Sequence, residues 1–200
     1  PYTKTASGSV QVQDDEQTYK PEPSKSLYLL SVPRTFNFGV KNVEKMEKVY
    51  HMSPSDYQSN THVDSKGFYT RVNDQRNANN NWALHASLSN FENSAGKVMP
   101  NSTGTYLKLA GLKTEKVTDY DTPKESITDA ASTDPSAVSE KALVTGDSAV
   151  QIMTASNTSG AGVWQLRMPF DEISLHLPAN AGEKNQNYQA QLTWSLNDTP

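Results

Sequence analysis

The sequence predicts an all-β protein, a single β-sandwich-like domain of antiparallel strands with one long polar surface loop. Three observations carry this. Short runs that alternate apolar and polar residues recur along most of the chain, and a period of two marks a strand with one buried face. Turn residues divide the runs, with 10 Gly and 11 Pro in 200 residues. The composition is polar without being charged: hydrophobic residues make up 34% and charged residues only 20%. A typical domain is about 45–50% apolar, counting Gly. Disorder pairs low hydrophobicity with high net charge, so this balance fits a secreted, turn-rich β protein instead.

Residues 1–26 are polar, with DDE at 14–16 and PEPSKS at 21–26, and read as an N-terminal arm or linker. Within it SGSVQVQ would form one short strand. The domain proper is expected over 27–200. It starts with SLYLLSV at 26–32 and TFNFGV at 35–40, where Phe36, Phe38 and Val40 alternate with Asn37 and Gly39. NVEKMEKVYHM at 42–52 has an ambiguous helical period. GFYTRVND at 67–74, NWALHASL at 81–88 and TYLKLAGL at 105–112 read as strands. So do SAVQIMT at 148–154, GVWQLRM at 162–168, EISLHLP at 172–178 and NYQAQLTWSL at 187–196. The stretch 113–141 has few large apolar residues and many Asp, Ser, Thr and Pro. It is expected to be an inserted surface loop; loops of this length are uncommon unless functional or mobile.

Several function classes fall away. The chain has no cysteine, which excludes disulfides, thiolate metal sites and cysteine nucleophiles and tilts the origin towards a bacterial cell surface. The net charge of −4 leaves no basic footprint for nucleic acid. No apolar run approaches the ~18 residues of a membrane span, so no membrane insertion is expected. The chain opens on Pro1 rather than Met, which suggests a processed or trimmed product. Gly146-Asp147-Ser148 lacks the partner histidine of a serine hydrolase. Asp14-Asp15 and Asp171-Glu172 sit in an arm and a turn, where a glycosidase pair is not expected. The spaced acids of TDYDTPKE at 118–125 lack the glycine of a calcium loop. His51, His62, His85 and His176 show no paired ligand spacing. No catalytic residue, metal or cofactor is expected, and Asp74 with Arg76 reads as a surface pair or turn anchor.

All three tryptophans precede a leucine by two positions: Trp82-Ala83-Leu84, Trp164-Gln165-Leu166 and Trp194-Ser195-Leu196. Alternation places each Trp and Leu on one face. Trp82, Leu84, Ala86 and Leu88 oppose Ala83, His85, Ser87 and Ser89. Tyr188, Ala190, Leu192, Trp194 and Leu196 oppose Asn187, Gln189, Gln191, Thr193 and Ser195. Trp164, Leu166 and Met168 oppose Val163, Gln165 and Arg167. The direct reading is packing, since a buried Trp covers about 150–250 Å². The sharper one has Trp82, Leu84, Trp194 and Leu196 as ligand-binding residues, with the two indoles flanking a groove and stacking on a sugar. A protein-docking surface is the third.

Paired Trp-any-Leu motifs, one central and one closing the chain in LTWSLNDTP, resemble the WxL domain of Gram-positive bacterial surface proteins. FNFG at 36–39 is similar to the family's early aromatic block. VNDQR at 72–76 is similar to its Asp-x-Arg element, and AGVWQLRM followed by ISLHLPANAG to the strand and turn before the terminal motif. Together these cover 27–200. Asn81 stands where the family often has Gly, and still tolerates a left-handed backbone. The resemblance implies a secreted protein of the cell wall or cell surface that binds peptidoglycan non-covalently, with Trp82, Leu84, Trp194 and Leu196 carrying the assignment and Trp164 and Leu166 in the core. It also implies a membrane-anchored WxL-interacting protein as a partner. The competing reading is an adhesion module for such a partner or for host extracellular matrix. LPANAG at 177–182 lacks the Thr of a sortase signal, so attachment by surface complementarity is expected.

Overall fold

Residues whose alternation predicts strands form strands, and they pair antiparallel throughout the named ladders. The computed structural model of the chain describes residues 3–9, 16–18, 27–33, 36, 38–39, 41–52 and 67–198, the first two segments by their backbone. Fifteen strands lie among them: β1 (Thr3–Ser9), β2 (Glu16–Thr18), β3 (Leu27–Pro33), β4 (Lys48–His51), β5 (Gly67–Asp74), β6 (Trp82–Leu88), β7 (Tyr106–Ala110), β8 (Lys113–Thr118), β9 (Ser126–Asp129), β10 (Ser136–Ala137), β11 (Glu140–Val144), β12 (Val150–Ala155), β13 (Gly162–Pro169), β14 (Ile173–Leu177) and β15 (Gln191–Asn197). Among the described residues a single 3-10 turn, Phe170–Glu172, leads into β14, and no α-helix occurs.

The strands make three sheets. The first has the order β1-β15-β6-β12-β10, the second β11-β7-β14-β4, and the third β2-β3-β5-β13-β8-β9. An isolated bridge between Leu88 and Thr145 links the first to the second. The inner faces share one apolar cluster that draws Trp82, Leu84, Trp194 and Leu196 from the first sheet, Leu107, Leu109 and Leu175 from the second, and Val72, Trp164 and Leu166 from the third. This is a sandwich-like arrangement of packed sheets, in which β3 and β5 of the third sheet are buried at every position.

Most strand expectations hold to within a few residues. The ambiguous stretch 42–52 resolves into β4 at its end, with no helical turn before it. Phe36 and Phe38 are buried, but the described positions of that segment are not strand, and Thr35, Asn37 and Val40 lie outside the described residues. Within the expected arm, β1 pairs with β15 over seven positions and β2 pairs with β3 over three, so both join sheets.

The larger correction concerns 113–141, which is not a surface loop but carries β8, β9 and β10. β8 pairs with β13 on one side and β9 on the other. Its polar residues made it look like a loop, yet Thr114, Glu115 and Val117 are all buried. The reason is a polar network on the outer face of the third sheet. Gln165 Nε2 donates to Glu115 Oε1 at 2.9 Å. Arg71 Nε donates to Gln165 Oε1 at 3.0 Å, and Arg71 pairs with Glu125 at 2.8 Å. A buried polar group that finds its partners no longer needs water. The expected outward face of β13 is also buried: Gln165 lies in this network, while Val163 packs with Tyr28, Leu30 and Val117 in a second apolar cluster.

Candidate functional site

The two family tripeptides lie on adjacent paired strands. β15 and β6 run antiparallel with Leu192 opposite Leu88, Trp194 opposite Ala86 and Leu196 opposite Leu84. Trp82 and Trp194 therefore share one face, with the Leu84–Leu196 pair between them. At ~3.3 Å per residue, the four-residue offset puts their rows about 13 Å apart. All four side chains are 0% exposed. The groove reading required indoles open to a sugar face, and the fold turns them inward instead. Sheet geometry is the cause: the face that carries them is the one that meets the opposite sheets. Trp164, at 2% exposure, is core as expected.

A corner of polar bonds locks the first motif in place. Arg76 Nε and Nη2 donate to the two oxygens of Asp74, each at 2.9 Å, and Nη2 also donates to the Asn81 carbonyl at 2.9 Å. Hydrogen bonding to Asp74 pushes the Arg76 guanidinium pKa up, against the opposite pull of partial burial, with further help from the Asp74 and Asp198 charges. Asn80 Nδ2 donates to the Arg76 carbonyl at 2.9 Å. The Gly160 amide donates to the Asn80 carbonyl at 2.9 Å, and Trp82 Nε1 donates to the Gly160 carbonyl at 3.1 Å. Asp74 and Arg76 are thus a turn anchor. The left-handed residue in this turn is Asn79, at φ 57°, rather than Asn81, whose side chain accepts the Thr158 amide instead.

Beyond the Leu88–Leu192 pair the two motif strands continue as a polar cleft of about 620 Å³. Backbone bonds carry the pairing into it. Ser89 donates to the Gln191 carbonyl at 2.9 Å, and Glu92 and Gln189 exchange bonds of 2.8 Å. Asn90 and Asn93 line one wall; Asn185, Gln186, Asn187 and Gln189 line the other. Asn93 Oδ1 accepts the Ala95 and Lys97 amides, which holds its turn, and its Nδ2 reaches Gln186 Oε1 at 3.5 Å across the cleft. A side-chain amide carries two donors and an acceptor without charge. Asn93 engages its own in the turn and with Gln186, and Glu92 adds one carboxylate. The other amides give the lining a mainly uncharged character that suits a hydroxyl-rich ligand. Sequence reasoning assigned Asn187, Gln189 and Gln191 to a solvated face and did not single them out. The signal was the density of amides in NQNYQAQ; what it lacked was the opposing wall at 90–93.

The other candidates gain no site. Gly146 sits at φ 80° in a turn, with Asp147 and Ser148 exposed. Asp171 and Glu172 are exposed in the 3-10 turn, and Asp14, Asp15 and His62 lie outside the described residues. Asp119 and Asp121 shape the β8–β9 turn at φ 52° and 59°. Ser174 Oγ lies 2.9 Å from His176 Nε2, with burial foremost, then Lys108 and His51, pushing the imidazole pKa down. Among the described residues no cluster of three His, Cys, Asp or Glu could hold a metal ion, and no helix is long and apolar enough to cross a membrane.

A family model described as "WxL domain surface cell wall-binding" matches residues 3–200. No curated protein and no solved structure matches the chain.

Proposed function

The chain belongs to the WxL domain family, and from that premise we propose that it attaches non-covalently to peptidoglycan, gripping the glycan in the amide-lined cleft. The family is described as surface cell wall-binding; what this proposal adds is the ligand and the place. The observation that carries it is the cleft of about 620 Å³ at the ends of the two motif strands, lined by seven side-chain amides with Glu92 as its one charged residue. The size falls within the ~300–1,000 Å³ of ligand clefts, which are commonly mostly apolar; the polar lining here instead matches a ligand rich in hydroxyls. Neutral amides also suit a protein of net charge −4, for which long-range attraction to an anionic surface is not available. In this reading Trp82, Leu84, Trp194 and Leu196 are positioning residues: they clamp β6 to β15 and so hold the cleft walls in register.

The test is sedimentation with purified, protein-stripped peptidoglycan. The whole chain should co-sediment. Asn90→Ala combined with Asn185→Gly removes an amide from each wall, the glycine suiting the φ of 61° at position 185. It should leave the circular dichroism spectrum unchanged and lower the bound fraction several-fold. Undiminished sedimentation of that variant would remove the cleft from the proposal.

A protein-docking module is the second reading, favoured by one surface. On the outer face of the second sheet Val144, Tyr106, His176 and Val49 stand opposite one another in a row. Tyr106 stacks on His176 at 4.2 Å, and Val49 is half exposed. A membrane-anchored partner or a host matrix protein would dock there, and a chain that ignores stripped peptidoglycan would favour this reading.

A further inference from the structure

The cleft has a second compartment of different chemistry. A groove of about 300 Å³ adjoins it, and Gln186 and Asn187 line both. Phe91, Met99, Leu175 and Leu177 contribute apolar surface to the groove, and Tyr50 and Tyr188 add aromatic rings. These parts are built rather than incidental. The Met99 amide donates to the Phe91 carbonyl at 2.8 Å, holding those two residues together. Tyr50 stands opposite Leu175 in the β4–β14 ladder. Tyr188 is fixed at its hydroxyl, which accepts the Glu183 amide at 3.1 Å, and its ring edge packs on Gly182, where a Cβ would approach to 3.4 Å. The turn at 178–182 closes the groove as the Asn180 amide donates to the Glu44 carbonyl at 2.7 Å and the Gly182 amide to the Pro100 carbonyl at 2.9 Å. Burial, with Glu44 adding to it, pushes the Tyr50 phenol pKa up, so this ring is neutral over the physiological range.

The two linings select different parts of a molecule. Sugar hydroxyls gain partners from amides and none from Leu or Met, while methyl and methylene groups gain from the apolar wall by leaving water. A ligand that fills both through the shared Gln186 and Asn187 must therefore be polar at one end and apolar a few ångströms away. Lys41 and Glu183, which also line the groove, add a cation able to meet a carboxylate and an anion able to meet an amine on a branch that is otherwise apolar.

We infer that the two compartments read one ligand, a neutral glycan strand in the amide-lined part whose acyl-peptide branch lies in the aromatic groove. This rests on the reading of the cleft as the wall-binding site. It would make the domain a reader of branched wall glycan rather than of polysaccharide in general.

Calorimetric titration of the whole chain with two soluble probes tests it: a muropeptide, and chitotetraose as the peptide-free N-acetylated glycan. The muropeptide should bind about tenfold more tightly, the worth of roughly two buried methylene groups. Tyr188→Ala should erase that advantage and leave chitotetraose binding within about twofold, whereas Tyr188→Phe should retain it. Ala181→Phe, which fills the groove without removing a ring, should act like Tyr188→Ala and serves if that variant fails to fold. Asn90→Ala with Asn185→Gly should weaken both probes alike. Equal affinity for the two probes, or an equal loss of both in Tyr188→Ala and Ala181→Phe, overturns the inference while leaving the cleft as the wall site. If the double amide variant sediments with peptidoglycan like the parent, the wall-site reading itself fails and this inference fails with it.

Discussion

Trp82 and Trp194 share a residue type, a sheet face and complete burial, yet they are held by different means. The first indole donates to the Gly160 carbonyl, and that glycine is tied in turn to Asn80 and through it to the Arg76–Asp74 corner. The second indole nitrogen is buried with no acceptor among the described residues. It relies on strand pairing, with β6 on one side and β1 on the other, and on packing. One motif is anchored by loops and the other clamped between strands. The repeated spacing therefore encodes where the pair sits on a sheet face, not how each ring is fixed.

Truncation separates the two most sharply. Trp82→Ala and Trp194→Ala should each cost about 3–5 kcal/mol in urea unfolding. The first should lie at the upper end because it also orphans the Gly160 carbonyl. A reversed order would mean that the loop corner does not stabilise the first motif.

The next effect has no counterpart at the second motif. A Cβ at Gly160 would meet Trp82 Nε1 at 2.2 Å and the Asn80 carbonyl oxygen at 2.6 Å, so Gly160→Ala must displace the indole or the turn. Overpacking of this kind costs about 1–3 kcal/mol, read as a lower urea midpoint with a shift in the Trp82 indole resonance. An unshifted resonance would place the anchor elsewhere.

The smallest effect isolates the hydrogen bond. Trp82→Phe removes the donor and leaves a buried carbonyl unpaired, whereas Trp194→Phe removes an N–H that has no acceptor among the described residues. Trp82→Phe should be the more costly by about 1–2 kcal/mol, and equal costs in denaturant would erase the distinction drawn here.

Much of the molecule was legible in one dimension. Tyr188, Ala190, Leu192, Trp194 and Leu196 were expected on one face, and the last four are buried while Gln189 and Gln191 on the other face are exposed. Legibility failed where polar residues are buried together. Glu115 and Gln165 look solvated in sequence because they pair with each other across 50 residues, and Gln165 with Arg71 across 94. The candidate cleft failed to show for a related reason: its walls at 90–93 and 185–191 are remote along the chain and meet through the β6–β15 pairing and the Glu92–Gln189 bridge that extends it.

The sequence by itself determined the class of fold, most of the strands outside 113–141, the inward face of each Trp-any-Leu and the family, because period-two alternation and short motifs are properties of neighbouring residues. Only the tertiary structure decided that the motif rings are sealed in the core, that 113–141 is sheet and that seven amides converge on one cleft. Those outcomes depend on which distant strands pair, and pairing is settled by the burial of whole faces rather than by any local pattern.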